Sequence, residues 1–150
     1  MDRRELERYL HEHIPLSKAM GVEVVEASGE KVELAAPFAP NINHLETVFG
    51  GSASAVAILA AWALLHVRLQ LEGISSRVVI QRNTMQYERP MTGGFTAVST
   101  FQDSATWVRF LTMLERKQRA RLSVTALLFC QGEKAGELEG DFVALGFNRV

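Results

Sequence analysis

The chain has 150 residues, 47% hydrophobic and 22% charged, the length and composition of one soluble domain with its own core rather than of a disordered chain. Its 16 Lys and Arg against 17 Asp and Glu leave a formal charge of −1, so no bulk attraction draws it to nucleic acid or anionic membrane. The single cysteine, Cys130, excludes an intramolecular disulfide and Cys-rich zinc modules and suits a reducing cytosol.

Met1 to Leu10 is charged and carries no signal-peptide core, so a cytoplasmic location is expected. Leu6, Tyr9, Leu10 and Ile14 recur at helical spacing, with Asp2 as a cap and Pro15 ending the run. Val22–Ala27 and Lys31–Ala36 read as a hairpin turning at Ser28-Gly29. The stretch from Pro37 to Phe49 is irregular. Gly50-Gly51 then opens a helix to about Leu71, small and apolar on nearly every face, which predicts burial on all sides. Its most apolar window, Ala53–Leu65, falls short of the about 20 residues a membrane span needs. Strands follow at Arg77–Glu88 and Gly94–Gln102, then a helix capped by Asp103 or Ser104 with Trp107, Phe110, Leu111 and Leu114 on one face. Two strands, Ala120–Cys130 and Gly136–Leu145, close the chain. No repeat, low-complexity tract or linker divides it, so residues 1–150 read as a single domain. A helix without a polar face needs a wrapper, and a curved antiparallel sheet is the one available. The fold class is α+β, a hot-dog fold.

Two motifs resemble the hot-dog thioesterase superfamily: Asn43-His44-Leu45-Glu46-Thr47-Val48-Phe49-Gly50-Gly51, at a loop-to-helix junction, and Tyr87-Glu88-Arg89-Pro90-Met91-Thr92-Gly93-Gly94, similar to an aromatic-x-Arg-Pro turn. The stretches from Asn41 to Ser52, Arg119-Ala120-Arg121 and Gly140–Ala144 narrow the resemblance to the thioesterase family related to the C-terminal domain of YiiD-type proteins. The resemblance implies hydrolysis of an acyl-coenzyme A or acyl-carrier-protein thioester without metal or other cofactor. It also implies a homodimer or dimer of dimers with the site between protomers. Two departures stand out. Phe49 occupies the place where many relatives carry a His, and Ile58 the place where one large branch carries a carboxylate on the central helix; Ala55, Ala57, Ala61 and Trp62 supply no substitute acid.

Thioester hydrolysis needs donors for a developing oxyanion, a base or nucleophile, and a channel for the chains. Gly50 and Gly51 at a helix N-terminus offer backbone donors, although glycines also serve tight turns and close packing. Glu46 is the one loop carboxylate able to act as general base; the plainer alternative is an exposed acid near a helix N-terminus. His44 is the alternate proton carrier, imidazole being the side chain best suited to proton transfer near neutral pH, or a solvated loop side chain. Asn43 and Thr47 are read as orienting the carbonyl or water, and Asn41, Phe49, Ser52 and Asn83 as lining the substrate path. Asn also favours turns, and Ser52 in the first helical turn reads as a cap rather than a nucleophile.

On the third strand, Gln81, Asn83 and Met85 share one face and Arg82, Thr84 and Gln86 the other, polar enough for an interface, a site or an edge strand. Arg116, Lys117, Arg119 and Arg121 form a basic cluster suited to coenzyme A phosphates, to an acidic carrier or simply to solvent. His11-Glu12-His13 lacks the spacing of a zinc-protease helix, and no P-loop, GxGxxG or EF-hand is present. Cys130 alternates with core positions, and Trp62 and Trp107 sit in apolar helical patterns. Two other functions remain open: hydration of an enoyl thioester by His44 with Glu46, and a module that binds acyl thioesters without turnover.

Overall fold

The computed structural model describes residues 1–101 and 103–150. Helix α1 (Arg3–His13) begins with a reciprocal cap: Asp2 accepts from the Glu5 amide and the Glu5 carboxylate accepts from the Asp2 amide. Pro15 ends α1 as expected, and it also opens a five-residue helix, α2 (Pro15–Ala19), that the sequence reading omits. A proline at the first helical position sacrifices an amide that would have no partner there anyway. Strands β1 (Glu23–Ala27) and β2 (Lys31–Ala36) pair antiparallel about the Ser28 turn, whose hydroxyl accepts from the Glu30 and Lys31 amides.

Helix α3 runs Gly50–Leu71, followed by β3 (Ile74–Tyr87), β4 (Phe95–Thr100), α4 (Ser104–Lys117), β5 (Arg119–Cys130) and β6 (Glu133–Arg149). Gln102, the expected end of the fourth strand, lies outside the described residues. Asp103 caps α4, accepting from the Ala105 and Thr106 amides. Its carboxyl is held below the usual carboxylate range by these bonds and by the Thr106 hydroxyl, the largest contributor. Gln131 and Gly132, both at positive φ, turn β5 into β6.

The six strands form one antiparallel sheet in the order β1-β2-β4-β5-β6-β3. It curves around α3, which packs against β2, β3, β4, β5 and β6. This is the hot-dog arrangement. α3 is long and apolar enough to cross a bilayer, yet it sits as the core helix of a sheet, with Val56, Ala57, Ala60, Leu64 and Val67 fully buried. Cys130 is buried, as its alternation requires.

Burial of α3 is not complete. Gly51 is exposed and Ala55, Ile58, Trp62 and His66 are only partly covered; spaced by three and four residues, they form one continuous face. Hydropathy registers that this face is apolar, but not that its side chains stay partly exposed.

β3 is an edge strand, one of the alternatives its polar pattern left open. Its register against β6 shifts between Ile80 and Arg82, so the bulge interrupts strict alternation at Gln81. At its far end the β6 backbone comes so close that a Cβ at Gly136 would lie 2.8 Å from the Gln86 carbonyl oxygen. That close approach fixes the end of β3, and with it Tyr87.

Candidate functional site

The loop preceding α3 is a small closed structure. Ile42 and Val48 form an isolated antiparallel bridge. Between them the Asn43 carboxamide oxygen accepts from the Leu45 amide (2.9 Å), the Thr47 amide (3.1 Å) and the Thr47 hydroxyl (3.2 Å), while its NH2 group lies 2.9 Å from Thr47 Oγ1. Asn43 and Thr47 are therefore engaged with each other and with the loop backbone. Inside this clasp Glu46 has a left-handed backbone, φ +59°, a conformation that costs a non-glycine L-residue about 1–2 kcal/mol. His44, Leu45 and Glu46 all project to the surface.

Two backbone bonds fix the entry to α3: the Val48 amide donates to the Met91 carbonyl (2.8 Å) and the Phe49 amide to the Asn41 carbonyl (2.7 Å). Asn41 itself is buried, its side-chain NH2 donating to the carbonyls of Met20 and Pro37. It holds the loop against the end of α2. Phe49, not Ser52, is the N-cap, and among the described residues no side chain caps the helix. Ser52 is the third helical residue, which corrects its reading as a cap. Among the described residues the amides of Gly50, Gly51 and Ser52 donate to no protein acceptor, as expected of a helix first turn without a cap. The exposed Phe49 ring lies over Gly51, where a Cβ would meet its far edge. The Tyr87 ring packs on Gly50 and its hydroxyl donates to the Gly50 carbonyl at 3.1 Å. Two aromatic rings, each more than half exposed, thus flank the open amides.

Below these amides, the uncovered face of α3 forms one wall of a groove of about 440 Å3. Ala55, Ile58 and Trp62 line it from α3, Val78 and Ile80 from β3, and Phe142 from β6. The α1–α2 corner supplies Ile14 and Leu16. The groove is almost wholly apolar. Nothing in the sequence pattern announces it, because its walls come from four separate stretches of chain. A larger depression of about 780 Å3 lies over β1, β2 and β4 and includes none of the candidate catalytic or substrate-binding residues.

Trp62 leads into an aromatic column. Its ring stacks on His66 (4.7 Å between centroids), His66 on Tyr9 (4.8 Å), and Tyr9 on His13 (4.1 Å). Burial holds the His66 imidazole below its ordinary value, with positive charge on His13 and at the amino terminus adding to the effect. The unfolded chain therefore takes up a proton near pH 6.5 that the folded chain refuses, so stability is full above that pH and declines as pH falls through the lower folded value. His66→Phe is expected to flatten this decline; thermal melts of both proteins between about pH 7.5 and 5, on either side of the free imidazole value, measure it.

The other sequence candidates lie apart. Asn83 is exposed on β3 opposite Gly140, four residues before Tyr87. Arg119 and Arg121 lie on β5 beside Leu145 and Val143, whereas Tyr87 pairs with Gly136 at the other end of β6. Gly136 lies nine steps along β6 from Leu145 and seven from Val143, roughly 23–30 Å, so within one chain the basic cluster does not join the α3 amides. Among the described residues no three His, Cys, Asp or Glu side chains gather as a metal-binding set.

Residues 3–146 match the family described as putative thioesterase (yiiD_Cterm). Among solved structures, a protein of unknown function from Chlorobaculum tepidum TLS superposes with a TM-score of 0.90 at 28% identity, over 96% of this chain and 94% of that one. A putative thioesterase from Shewanella oneidensis gives 0.85 at 24% identity, over 95% and 96%. A Pseudomonas aeruginosa protein of unknown function, described as a probable thioesterase, gives 0.82 at 21%, over 95% of each chain. The last two likenesses speak for the fold alone.

Proposed function

Because the chain belongs to the putative thioesterase (yiiD_Cterm) family, we propose that it hydrolyses acyl-coenzyme A or acyl-carrier-protein thioesters at the head of α3, in a site completed by a second copy of the chain. The observation that carries this reading is the set of unpartnered amides at Gly50, Gly51 and Ser52, about one helical turn before Ala55, the first α3 residue to line an apolar groove. A thioester has the matching shape: a carbonyl that becomes an oxyanion, joined to a hydrocarbon chain. Amides preorganised for that oxyanion are worth about 3–4 kcal/mol in the transition state.

Glu46 is the general base. It takes a proton from water as the oxygen attacks the carbonyl carbon; the tetrahedral oxyanion rests on the α3 amides, and its collapse breaks the C–S bond and returns the proton to the thiolate. His44, exposed on the same loop, is the alternate base. Asn43 and Thr47 act as positioning residues through the clasp that shapes the loop, and Phe49 and Tyr87 flank the path of the thioester. Asn43→Ala is expected to lower kcat by roughly 10- to 100-fold, since misplacing a catalytic group by about 1 Å has that effect, while Asn43→Asp, which keeps the acceptor oxygen, retains more activity. Steady-state kinetics on both variants checks this.

β3 supports the second copy. It is 14 residues long with an unpaired edge, a surface that favours pairing with another strand, and it ends at Tyr87 on Gly50. Pairing along β3 sets the partner beside the open amides, where Ile42, Leu45 and Phe49 are also exposed. The protein is expected to run as a dimer or larger species in sizing at micromolar concentration; a monomer there would contradict the shared site. The reaction itself is tested with saturated and enoyl thioesters of coenzyme A. Release of free thiol from the saturated ester is expected. Loss of the alkene without thiol release would favour hydration, and tight binding with neither would favour a binding module.

A further inference from the structure

The groove beside α3 has two unlike ends. Toward the helix N-terminus it leads from Ala55 up the exposed face to Gly51 and the open amides. At the other end stands Trp62: no α3 residue beyond it and no β3 residue before Val78 lines the groove. β3 runs back along α3, with Tyr87 at Gly50 and Val78 at Trp62, so both walls run out at the same level. This end is held firmly. The Trp62 indole N–H donates to the Val78 carbonyl at 2.8 Å, tying the ring to β3, and its face is backed by His66, itself stacked on Tyr9 of α1. An indole fixed by a hydrogen bond and a three-ring stack does not swing aside as a lone exposed side chain would.

We propose that Trp62 is the stop that sets the acyl-chain length, making the substrates thioesters of acyl chains up to about fourteen carbons. The inference rests on the thioester lying at the α3 N-terminus. Trp62 stands eleven residues beyond Gly51, about 16 Å along the helix at 1.5 Å per residue. An extended chain advances about 1.2 Å per bond, so roughly thirteen bonds bring its end to the indole. Up to that length each added methylene enters apolar surroundings and tightens binding by up to about fourfold; beyond it the chain must bend back or remain in water.

The test uses thioether analogues of acyl-coenzyme A, which cannot be hydrolysed, with chains from about 8 to 18 carbons, shorter and longer than the distance to Trp62. Affinities are measured by calorimetry for the wild type, Trp62→Ala and Trp62→Phe. In the wild type the dissociation constant is expected to fall with chain length and then level off or rise near fourteen carbons. Trp62→Ala is expected to move that break two to four carbons longer (~ the depth of one aromatic ring). Trp62→Phe, which keeps a ring in the stack, gives a smaller shift in the same direction and serves if the alanine variant does not fold. A break at the same length in the variants, no dependence on chain length, or affinity still rising at the longest wild-type chain would overturn the proposal. Thiol release from the matching acyl thioesters separates the two readings. Turnover whose length optimum ignores Trp62 removes the stop and leaves the hydrolase; a break that moves with Trp62 but without turnover removes the hydrolase and leaves the stop.

Discussion

Glu46→Gln is expected to lower kcat for thioester hydrolysis by about 100-fold or more, the ordinary contribution of a general base, with little change in KM or stability. The substitution keeps size and shape and removes the ability to accept a proton. Stability changes little because Glu46 is exposed and forms no hydrogen bond or ion pair through its carboxylate among the described residues; surface substitutions of this kind stay within about 0.5 kcal/mol. A second variant separates catalysis from structure. Glu46→Gly relieves the left-handed backbone and is expected to raise stability by about 0.5–1 kcal/mol while losing the same activity. A residue more stable when replaced and less active when replaced is held where it is by function. If instead Glu46→Gln hydrolyses at the wild-type rate, His44 becomes the base to examine, and His44→Ala tests it in the same assay.

Phe142→Ala is expected to destabilise the protein by about 3–5 kcal/mol, the usual result of truncating a buried aromatic residue. Phe142 is 1% exposed, lies between Leu122 and Ile80 in the sheet register, and forms part of the groove floor. Its ring fills the place where a side chain on Gly140 would stand, a Cβ there falling 2.8 Å from Phe142 Cε2. Removing it therefore leaves a cavity that neighbouring strands cannot close without shifting. Phe142→Leu, which retains most of the volume, is expected to cost under about 1.5 kcal/mol. Urea unfolding at one fixed protein concentration measures both. A loss below about 1 kcal/mol for the alanine variant would mean that the ring does not support the sheet as described.

The sequence carried more of the fold than of the site, for a physical reason. Local chemistry marks element ends: Asp2 and Asp103 cap α1 and α4, and the Gly50-Gly51 pair opens α3 at its observed first residue. Pro15 shows the ambiguity of a local signal, since the residue that ends one helix also begins the next. β3 begins at Ile74, three residues before the expected start, directly after Gly73 turns the chain at φ +71°. The loop was legible in composition but not in partnership. Asn43 and Thr47 have the chemistry to hold a substrate, and only the folded loop reveals that they bind each other. The groove was least legible of all. Trp62 reads as one more apolar helical residue, and its place at the end of the groove depends on Val78, His66 and Tyr9, which only the tertiary structure brings beside it.

The central claim is that the α3 amides receive the carbonyl while the groove receives the chain. Amide resonances of an isotope-labelled sample, followed while a non-hydrolysable acyl-coenzyme A analogue of twelve carbons (~ a chain short of the Trp62 stop) is added, test it most directly. The expected result is a saturable shift of the Gly50, Gly51 and Ser52 amides together with those of Ala55 and Ile58. Saturable binding that leaves these amides unmoved and shifts others instead would contradict it.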